Sequence, residues 1–325
     1  MRLTSDPFDA ARTLLAGNLA ALPTETVYGL GARADDPHAI AKVYAAKGRP
    51  ADHPLIAHLQ SARVLEAWGR NIPEYAYVLA DALWPGPLTL VVSRTERAAD
   101  FITGGQDSVA LRVSAHPFMQ KVQRELARLA DDEAIAIAAP SANRFGRVSP
   151  TTAAHVLAEL QDYTSEDDVV LDGGPCIVGV ESTIIDCTGD HPRLLRPGMV
   201  TAEQVEALTG LSCTRDSTVR ASGTLDSHYS PMAAVELLSA DELVGRVFEP
   251  GQARIGLLAL SEIPTPPGIV RLSAPSTIEQ FGQILYAALR EADALRLSSV
   301  IVVAPPRTGL GEAIHDRLSR AAHPN

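Results

Sequence analysis

Residues 45–58, "AAKGRPADHPLIAH", join the end of a predicted helix to the start of a predicted strand. Gly48 ends the helix, which begins after Asp36, because glycine readily adopts the conformation that closes a helix. The alternation of side chains along the strand that follows places Ile56 and His58 on one face. A helix followed by a short apolar strand recurs along the chain, and this alternation is typical of an α/β protein.

The elements around this stretch have clear signals. Asp-Pro pairs at residues 6–7 and 36–37 predict helices with an N-cap residue followed by proline. Other helices are predicted near residues 73–83, 116–130 and 150–160. The predicted strands are "PLIAHL", "LTLVVS", "SVALRV", "AIAIAA", "DVVLDG" and "STIIDC". Because hairpin-length links are mixed with helical crossovers, a mixed sheet is expected.

The character of the chain changes near residue 210. The stretch "TGLSCTRDSTVRASGTLDSHYSPMA" is polar and has no hydrophobic period, which indicates a linker or an ordered excursion. Beyond it, "RIGLLAL", "SVIVVAP" and "GLGEAIHDRLSRAA" predict a second α/β unit. We therefore predict a first domain over residues 1–210, a linker over 211–231 and a smaller domain over 232–325.

Charge and composition exclude several classes of protein. The 325 residues carry a net charge of −11, which argues against broad nucleic-acid binding through phosphate contacts. No apolar run is long enough to span a membrane, and the N-terminus lacks the pattern of a signal peptide. The cysteines, three in number and widely spaced, suit reduced thiols. We expect a cytoplasmic protein with a local cationic site and no stable nucleic-acid or membrane binding.

A cluster of donors stands out against this acidic background. Lys47 is one of only three lysines, and it lies close to Arg49, His53 and His58. Cations at a helix C-terminus complement the helix dipole for ~0.3–1 kcal/mol, and this structural role alone explains Lys47 and Arg49. The two histidines are five residues apart and no HExxH motif is present, so a metal site is not predicted. Whether His58 is structural or binds a ligand is left open.

Small polar side chains follow the strand that ends near residue 139. In "APSANRFGRVSPTTA", Ser141 and Asn143 lie in a loop broken by glycine and proline, a setting that suits an anion site. Ser149 is also expected to be the N-cap of a helix that begins at Pro150. The glycines of "YGLGARA" and "GLGEAI" are predicted to form turns rather than a dinucleotide loop, because "YGLGARA" lacks the acidic residue that would hold the ribose.

Polar residues at the ends of other strands complete the pattern. Ser182 follows Glu181 at the start of one strand, and Arg196 ends another in "RLLRPG". Cations, hydroxyls and an amide thus lie at the ends of several strands of one domain. That is where α/β sheets bind ligands.

Seven motifs, in order, resemble those of the YrdC family: "LPTETVYGLG", "KGRPADHPLIAH", "LWPGPLTLV", "VALRV", "APSANRFGRVSPT", "VGVESTIID" and "LLRPG". "HYSP" and the C-terminal "GLGEAIHDRLSRAA" are similar to the longer, two-domain form of the family. The resemblance implies an α/β fold with an N-terminal YrdC-like twisted mixed sheet and helices, and a smaller C-terminal Rossmann-like α/β domain. It also suggests that the linker folds across the N-terminal site as a lid.

The resemblance implies a threonylcarbamoyl-AMP synthase, a nucleotidyltransferase. Such enzymes use L-threonine, bicarbonate and ATP, with Mg²⁺, to make L-threonylcarbamoyladenylate and pyrophosphate. A tRNA threonylcarbamoyl-transfer complex then uses the product to modify position 37 of tRNAs that read ANN codons. Two other hypotheses are an RNA-binding module of the same fold without adenylation activity and a carbamoyl-transfer role in hydrogenase maturation. The second usually comes with zinc-finger and acylphosphatase modules, which are not evident here.

The resemblance also implies roles for individual residues. The catalytic set that faces the phosphates is Lys47, Arg49, Ser141 and Asn143. The residues that match the threonine site are Thr26, His58, Arg112 and Ser182. The residues that match positions near ATP, besides Arg49, Ser141 and Asn143, are His53, Ser108, Ser149, Arg196 and Tyr229. The family more often has asparagine where His53 stands, and its linker usually reads more like "MxYRHYAP".

Overall fold

The computed structural model describes residues 1–223, 229–248 and 254–323 of the chain. The chain divides into two compact units. The first unit is Met1–Phe145, Pro150–Ile177 and Glu181–Thr224, and the second is Gly146–Ser149, Val178–Val180 and Leu225–Asn325. The predicted boundary near residue 210 thus falls within the first unit, whose contacts include the beginning of the predicted linker. Of that predicted linker, residues 224–228 lie outside the described residues.

The first unit contains one mixed sheet of 11 strands. The strands are β1 (Arg2–Thr4), β2 (Ala20–Leu22), β3 (Gly29–Arg33), β4 (Ile56–His58), β5 (Gly69–Arg70), β6 (Leu88–Arg94), β7 (Ser108–Arg112), β8 (Ile137–Ala138), β9 (Val169–Leu171), β10 (Thr183–Asp186) and β11 (Arg193–Arg196). Their order is β1-β9-β2-β3-β8-β4-β7-β6-β10-β11, with β5 paired to β6. Parallel pairs such as β4 with β7 alternate with antiparallel pairs such as β6 with β7, so the predicted mixed sheet is confirmed.

The helices of the first unit are α1 (Pro7–Leu15), α2 (Pro37–Lys47), α3 (Leu65–Trp68), α4 (Glu74–Leu83), α5 (Asp100–Thr103), α6 (Pro117–Ala130), α7 (Ala153–Leu160) and α8 (Ala202–Thr209). Two predicted helix starts are confirmed in detail. The Asp6 carboxylate accepts a hydrogen bond from Phe8 N, and the Asp36 carboxylate accepts from His38 N. Gly48 closes α2 in the left-handed conformation, at φ 62°, as glycine at a helix end permits.

One predicted N-cap is wrong. Helix α7 begins at Ala153, and its N-cap is Thr152, whose hydroxyl accepts from His155 N. Ser149 lies three residues earlier and is buried. The helix therefore starts one turn later than Pro150 suggested, since a proline that suits the first helical position does not by itself begin a helix.

The prediction that the glycines of "YGLGARA" form a turn is also wrong, because Gly29–Arg33 is strand β3. These glycines let neighbouring backbone approach closely. A Cβ on Gly29 would lie 3.0 Å from Ala139 Cβ, and one on Gly31 would lie 2.9 Å from Ala20 O. A glycine inside a strand often marks such a close approach.

The two faces of the sheet are covered differently. On one face, α2, α4 and α7 pack on a large apolar core that includes Leu90 and Leu111. On the other face, α1 and α6 cover the half of the sheet that contains β8 and its neighbours. On the rest of this second face, β4, β6 and β10 present a small apolar cluster against which Val219 and Ala221 pack. Residues 219–221 therefore cover part of the sheet that no helix of this unit covers among the described residues.

The second unit is a smaller α/β unit, as predicted. It contains β12 (Ala234–Leu237), α9 (Ala240–Gly245), β13 (Ile255–Leu258), β14 (Val270–Ser273), α10 (Ile278–Ala294), β15 (Ser299–Val302) and α11 (Leu310–Ala322). Its four strands are parallel, in the order β12-β15-β13-β14. Within the described parts of the two units, no helix combines the length and the apolar character that crossing a bilayer requires.

Gly31→Ala tests the close approach of β3 and β2. We expect the added methyl to destabilise the first unit by about 1–3 kcal/mol, since the space is already occupied by backbone. The fluorescence of Trp68 and Trp84, the only tryptophans, reports the unfolding of this unit alone. Its thermal midpoint should fall by several degrees. Gly245→Ala, at a helical position of the second unit with no atom near the new methyl, is the control and should leave this midpoint unchanged. An unchanged midpoint for Gly31→Ala would contradict the close approach.

Candidate active site

A row of polar side chains crosses the second face of the sheet. His58 on β4 is in register with Arg112 on β7, and Arg112 is in register with Thr89 on β6. Residues in register on neighbouring strands point to the same face. All three side chains are buried. The predicted pairing of Ile56 with His58 on one face is confirmed, since Ile56 belongs to the apolar cluster of this same face.

Arg112 is fixed from one side by a buried carboxylate. Its Nη2 donates to Glu25 Oε1 at 2.7 Å, and Ser114 Oγ donates to Glu25 Oε2 at 2.5 Å. Its Nε makes a longer bond, 3.4 Å, to Gly86 O. Its Nη1 has no hydrogen-bond partner among the residues that the structure describes. The guanidinium is thus held by two of its nitrogens and has a donor left for a ligand.

The charge state of Glu25 follows from these contacts. Burial raises the pKa of its carboxyl, but the positive charge of Arg112 and the hydrogen bonds from Ser114 and Arg112 outweigh burial and hold the pKa at about 2. The carboxyl is therefore ionised at neutral pH, and it forms a buried ion pair with Arg112.

His58 is a neutral group in this site. The pKa of its imidazole is lowered to about 3, mainly by burial. The charge of Arg112 also lowers this pKa, and its effect is larger than the opposite effect of Glu25. Its main-chain oxygen accepts from Gln123 Nε2 at 2.5 Å, which ties β4 to α6. Its Nδ1 has no partner within the described parts of the chain. Such an imidazole can donate or accept a hydrogen bond but does not bind an anion by charge.

Ser182 links the polar row to the end of β11. Its hydroxyl lies 2.8 Å from Thr89 Oγ1, and Arg196 donates to it from Nη2 at 3.1 Å. Arg196 also donates from Nε to Ser182 O, and from Nη1 to Ser222 O at 2.8 Å. Thr26, next to Glu25 in the loop between β2 and β3, is buried and lies within 2.9 Å of the Thr24 hydroxyl. Of the threonine-site residues predicted from the resemblance, His58 and Arg112 lie in register on neighbouring strands, and Ser182 bonds Thr89, the register partner of Arg112. Thr26 adjoins Glu25 in sequence.

Lys47 occupies an unusual position at the end of α2. Its buried ammonium donates to Ser141 O and to Asn143 O, both at 2.5 Å. No carboxylate lies within ion-pairing distance of it in the part of the chain that the structure describes. Burial lowers its pKa well below the ordinary value, and the charge of Arg49 adds to this effect. The ammonium is thus held by carbonyl dipoles in a position that lacks a neutralising anion.

Arg49 lies close to Lys47 and meets the segment 211–223. Its Nη2 donates to Pro54 O at 2.9 Å and to Ser222 Oγ at 3.0 Å. Ser222 Oγ donates in turn to Pro54 O. Ser222 therefore contacts Arg49 through its hydroxyl and Arg196 through its carbonyl, and it bridges the two guanidinium groups.

The loop after β8 brings Ser141 and Asn143 to Lys47. Ser141 forms an isolated antiparallel bridge with Gly29, which anchors the loop to β3. The Asn143 amide donates to Arg144 O at 2.7 Å. The structure thus brings the main chain of Ser141 and Asn143 to the Lys47 ammonium, and Arg49 lies nearby. The four residues of the predicted catalytic set are therefore close together.

The remaining predicted ATP-site residues are more dispersed. His53 is partly exposed and packs edge-on against Phe145, with 5.4 Å between ring centroids. Burial and then Arg49 lower its pKa. Ser108 is buried at the start of β7, paired with Ser93. Both lie in the first unit.

Ser149 and Tyr229 belong to the second unit. Ser149 O accepts from Arg290 Nε at 3.4 Å. The Tyr229 ring is buried and stacks on Tyr286, with 5.5 Å between centroids, and the Arg317 guanidinium lies over it. The assignment of these two residues to ATP stays a prediction.

Four residues of these contacts were not predicted from the sequence: Glu25, Thr89, Ser114 and Ser222. Thr89 had a signal, as a lone polar residue in the apolar strand "LTLVV" with the same alternation as its neighbours. Glu25 had one as well, as the only charged residue of "LPTETVYGLG". Ser114 and Ser222 had none, because they contact residues that lie far away in the sequence.

The described chain also contains a cavity outside this site. A cavity of about 660 Å³ lies at the carboxyl ends of β12, β13 and β15, but its walls are mostly apolar and its Glu262 and Arg307 are exposed. No group of three or more histidine, cysteine, aspartate or glutamate side chains suited to a metal ion occurs among the described residues. Buried cations and donors such as those around Lys47 and Arg112 suit the binding of anions.

Comparisons with known proteins match both parts of the chain. A family model of Sua5, YciO and YrdC, described as telomere recombination, matches residues 12–198. A model described as the C-terminal domain of threonylcarbamoyl-AMP synthase matches residues 200–323. The threonylcarbamoyl-AMP synthase of Pyrococcus abyssi is 37% identical over an alignment of 329 positions, which covers 96% of this chain and 93% of the relative. The threonylcarbamoyl-AMP synthase of Bacillus subtilis is 36% identical over an alignment of 336 positions, which covers 98% of this chain and 94% of the relative.

A solved structure extends the similarity to three dimensions. The crystal structure of P. abyssi Sua5 complexed with L-threonine has a TM-score of 0.84 to this chain and 36% sequence identity, and the match covers 97% of this chain and 94% of that one. The matches along both units show that this chain belongs to the Sua5/YciO/YrdC family, in the form that carries the threonylcarbamoyl-AMP synthase C-terminal domain.

Proposed function

We propose that this protein is an L-threonylcarbamoyladenylate synthase, which converts L-threonine, bicarbonate and ATP to L-threonylcarbamoyladenylate and pyrophosphate. Relatives that match more than nine-tenths of the chain bear the name threonylcarbamoyl-AMP synthase. They support the synthase and not an RNA-binding module without adenylation activity. The net charge of −11 also disfavours such a module.

The reaction brings three negatively charged groups into one site: the threonine carboxylate, the carbamate and the triphosphate of ATP. Bicarbonate loses hydroxide to give carbon dioxide, and the amine of threonine forms a bond to its carbon and loses a proton, which gives a carbamate and water. A carbamate oxygen attacks the α-phosphorus of ATP, a new O–P bond forms, and the bond to the β-phosphate breaks as pyrophosphate leaves. Positioning and electrostatic stabilisation dominate such phosphoryl chemistry, so fixed cations and N–H donors matter more than a covalent intermediate.

Lys47 is the observation that carries the proposal. A buried cation without an anionic partner is costly, and a ligand phosphate is the partner that would offset this cost. The ammonium lies beside Arg49, whose charge makes a single carboxylate an insufficient counter-ion. Lys47 and Arg49 therefore bind the triphosphate, with donors of the loop around Ser141 and Asn143. The ATP enters with Mg²⁺ on its phosphates, and no protein ligand to the metal is assigned.

The polar row is proposed to bind threonine. Arg112 offers its Nη1 to the carboxylate, and the neutral His58 offers a hydrogen bond without adding charge. Ser182 and Thr26 complete the threonine site. We propose that His53, Ser108, Ser149, Arg196 and Tyr229 contact the nucleotide. Ser222 joins Arg49 of the phosphate site to Arg196, and Arg196 donates to Ser182 of the threonine site, so the carbamate can form beside the triphosphate.

We further propose a lid that includes residues 211–231, of which residues 211–223 and 229–231 are described. Val219 and Ala221 pack over the site face of the sheet, and Ser222 contacts Arg49 and Arg196. Arg220 anchors the segment by donating to Asp52 O and Gly104 O. Such a cover would exclude water from a mixed anhydride that water hydrolyses.

The product is proposed to pass to a tRNA threonylcarbamoyl-transfer complex, for the modification of position 37 in tRNAs that read ANN codons. The cysteines of the described chain are free thiols, which suits a reducing compartment, and we place the enzyme in the cytoplasm.

Omission of each substrate in turn tests the reaction. Pyrophosphate release should require L-threonine, bicarbonate and ATP together, because the carbamate is the nucleophile. A coupled pyrophosphate assay measures this directly. Robust release with ATP alone, or with glycine as effective as threonine, would contradict the assignment.

Lys47→Ala and Arg49→Ala test the phosphate site. Each should lower kcat by about 10²–10³, since loss of one donor to a developing negative charge typically costs ~2.7–4 kcal/mol. A helix-end cation alone is worth only ~0.3–1 kcal/mol. Lys42→Ala is the matched control: Lys42 is in the same helix but is exposed and donates to Gly17 O and Asn18 Oδ1, so turnover should not change. Variants at Lys47 and Arg49 that melt earlier yet turn over normally would favour the structural role.

Limited proteolysis tests the lid. Trypsin should cut after Arg215 and Arg220 more slowly when ATP and threonine are present, because the ligands hold the segment against the sheet. Ser222→Ala should release more free AMP per pyrophosphate, as water reaches the adenylate. Cleavage that ligands do not change, together with an unaltered AMP yield for Ser222→Ala and full activity of Tyr229→Ala, would leave the segment a tether.

A further inference from the structure

Glu25 lies in the threonine end of the site without contact to any residue of the phosphate end. It is buried in the loop between β2 and β3, and both of its oxygens are occupied, one by Arg112 and the other by Ser114. The comparisons and the motif resemblance give it no role. Its partner Arg112 comes from β7, 87 positions away in the sequence.

From this geometry we propose that Glu25 is a positioning residue for substrate recognition, which orients the Arg112 guanidinium so that Nη1 faces the carboxylate of the amino-acid substrate. The inference rests on the proposed function for the identity of that substrate. Ser114 acts one step further out, since its hydroxyl holds the second oxygen of Glu25.

Three observations favour positioning over acid–base chemistry. The Glu25 carboxyl is ionised at neutral pH, with a pKa near 2, and so is a poor base for an ammonium group. Both of its oxygens already accept hydrogen bonds. The guanidinium that it holds has one further nitrogen bonded, Nε to Gly86 O, so only the Nη1 side remains for a ligand.

The physical benefit is pre-organisation. An arginine side chain has many rotamers, and ordering it when the ligand arrives weakens binding. A guanidinium whose Nη2 and Nε are already fixed offers its remaining donor without that loss. Glu25 also neutralises the buried charge of Arg112 when no substrate is bound.

The inference distinguishes the two ends of the site. Loss of Glu25 should weaken threonine binding and leave ATP binding nearly unchanged, because Lys47 and Arg49 make no contact with it. A purely structural carboxylate would, in contrast, affect both substrates alike or lower only the fraction of folded protein.

Calorimetric titration of the full chain with L-threonine alone, paired with steady-state KM values for threonine and ATP, provides the test. Glu25→Ala should weaken threonine binding by roughly tenfold or more, since hydrogen bonds that involve charged groups are worth a factor of this size. Glu25→Gln keeps an acceptor for Arg112 and should lose less. The KM for ATP should stay within about twofold in both variants.

Two further variants sharpen the result. Ser114→Ala should weaken threonine binding less than Glu25→Ala, and the double variant should bind like Glu25→Ala alone, because Ser114 acts through Glu25. Asp168→Ala removes another buried carboxylate, which holds Leu19 N and Ser165 near β9, and should leave threonine binding unchanged. Thermal melting of each variant reports the folded fraction.

Equal effects of the Glu25 variants on both KM values, unchanged threonine affinity, or additive effects of Glu25 and Ser114 would overturn the inference. Failure of the proposed function gives a different outcome: the unaltered protein would then release pyrophosphate without threonine or fail to bind it. The two failures are therefore separable, because one is seen in the unaltered chain and the other only in the variants.

Discussion

The buried ammonium of Lys47 is the constraint around which the first unit is arranged. It is held by the carbonyls of Ser141 and Asn143, so the end of α2 must meet the loop after β8. The transfer of a charge out of water costs several kcal/mol even after relaxation of the protein, and carbonyl dipoles offset this cost only in part. A structural lysine would ordinarily be placed at the surface or beside a carboxylate. We propose that this one binds an anionic ligand, and the nearby Arg49 adds to the same positive charge.

The two ends of the site differ in charge balance, and this difference matches their proposed ligands. At one end, Glu25 neutralises Arg112, so a monoanionic carboxylate meets a nearly neutral ion pair with one free donor nitrogen. At the other end, Lys47 has no such partner within the described residues, which suits a polyanionic triphosphate. His58 is neutral, so it can contribute a hydrogen bond to a ligand but no charge. An acidic chain can therefore bind a highly charged nucleotide in a local site without general affinity for nucleic acids.

Local patterns in the sequence predicted much of this structure. Helix starts at Asp-Pro pairs, the end of α2 at Gly48 and the face of His58 depend on residues only a few positions apart, and these predictions are confirmed. Strand β3 was not predicted, because its glycines also suit a turn and only the close approach of Ala20 distinguishes the two. The Glu25–Arg112 pair and the contact of Ser222 with Arg49 join residues 87 and 173 positions apart. One sequence carries no signal for such distant pairs. The resemblance to known motifs supplied candidate residues but not the carboxylate that orients one of them.

The central claim is that Lys47 is a destabilised cation which a nucleotide phosphate neutralises. With only three lysines in the chain, NMR of lysine side chains labelled with ¹³C can follow the pH titration of each one. In the free protein, the pKa of Lys47 should lie well below its ordinary value, because burial and the charge of Arg49 both disfavour the ammonium. Addition of a non-hydrolysable ATP analogue should raise it, since a phosphate favours the charged form. A Lys47 titration that is ordinary in the free protein, or that the analogue leaves unchanged, would contradict the account.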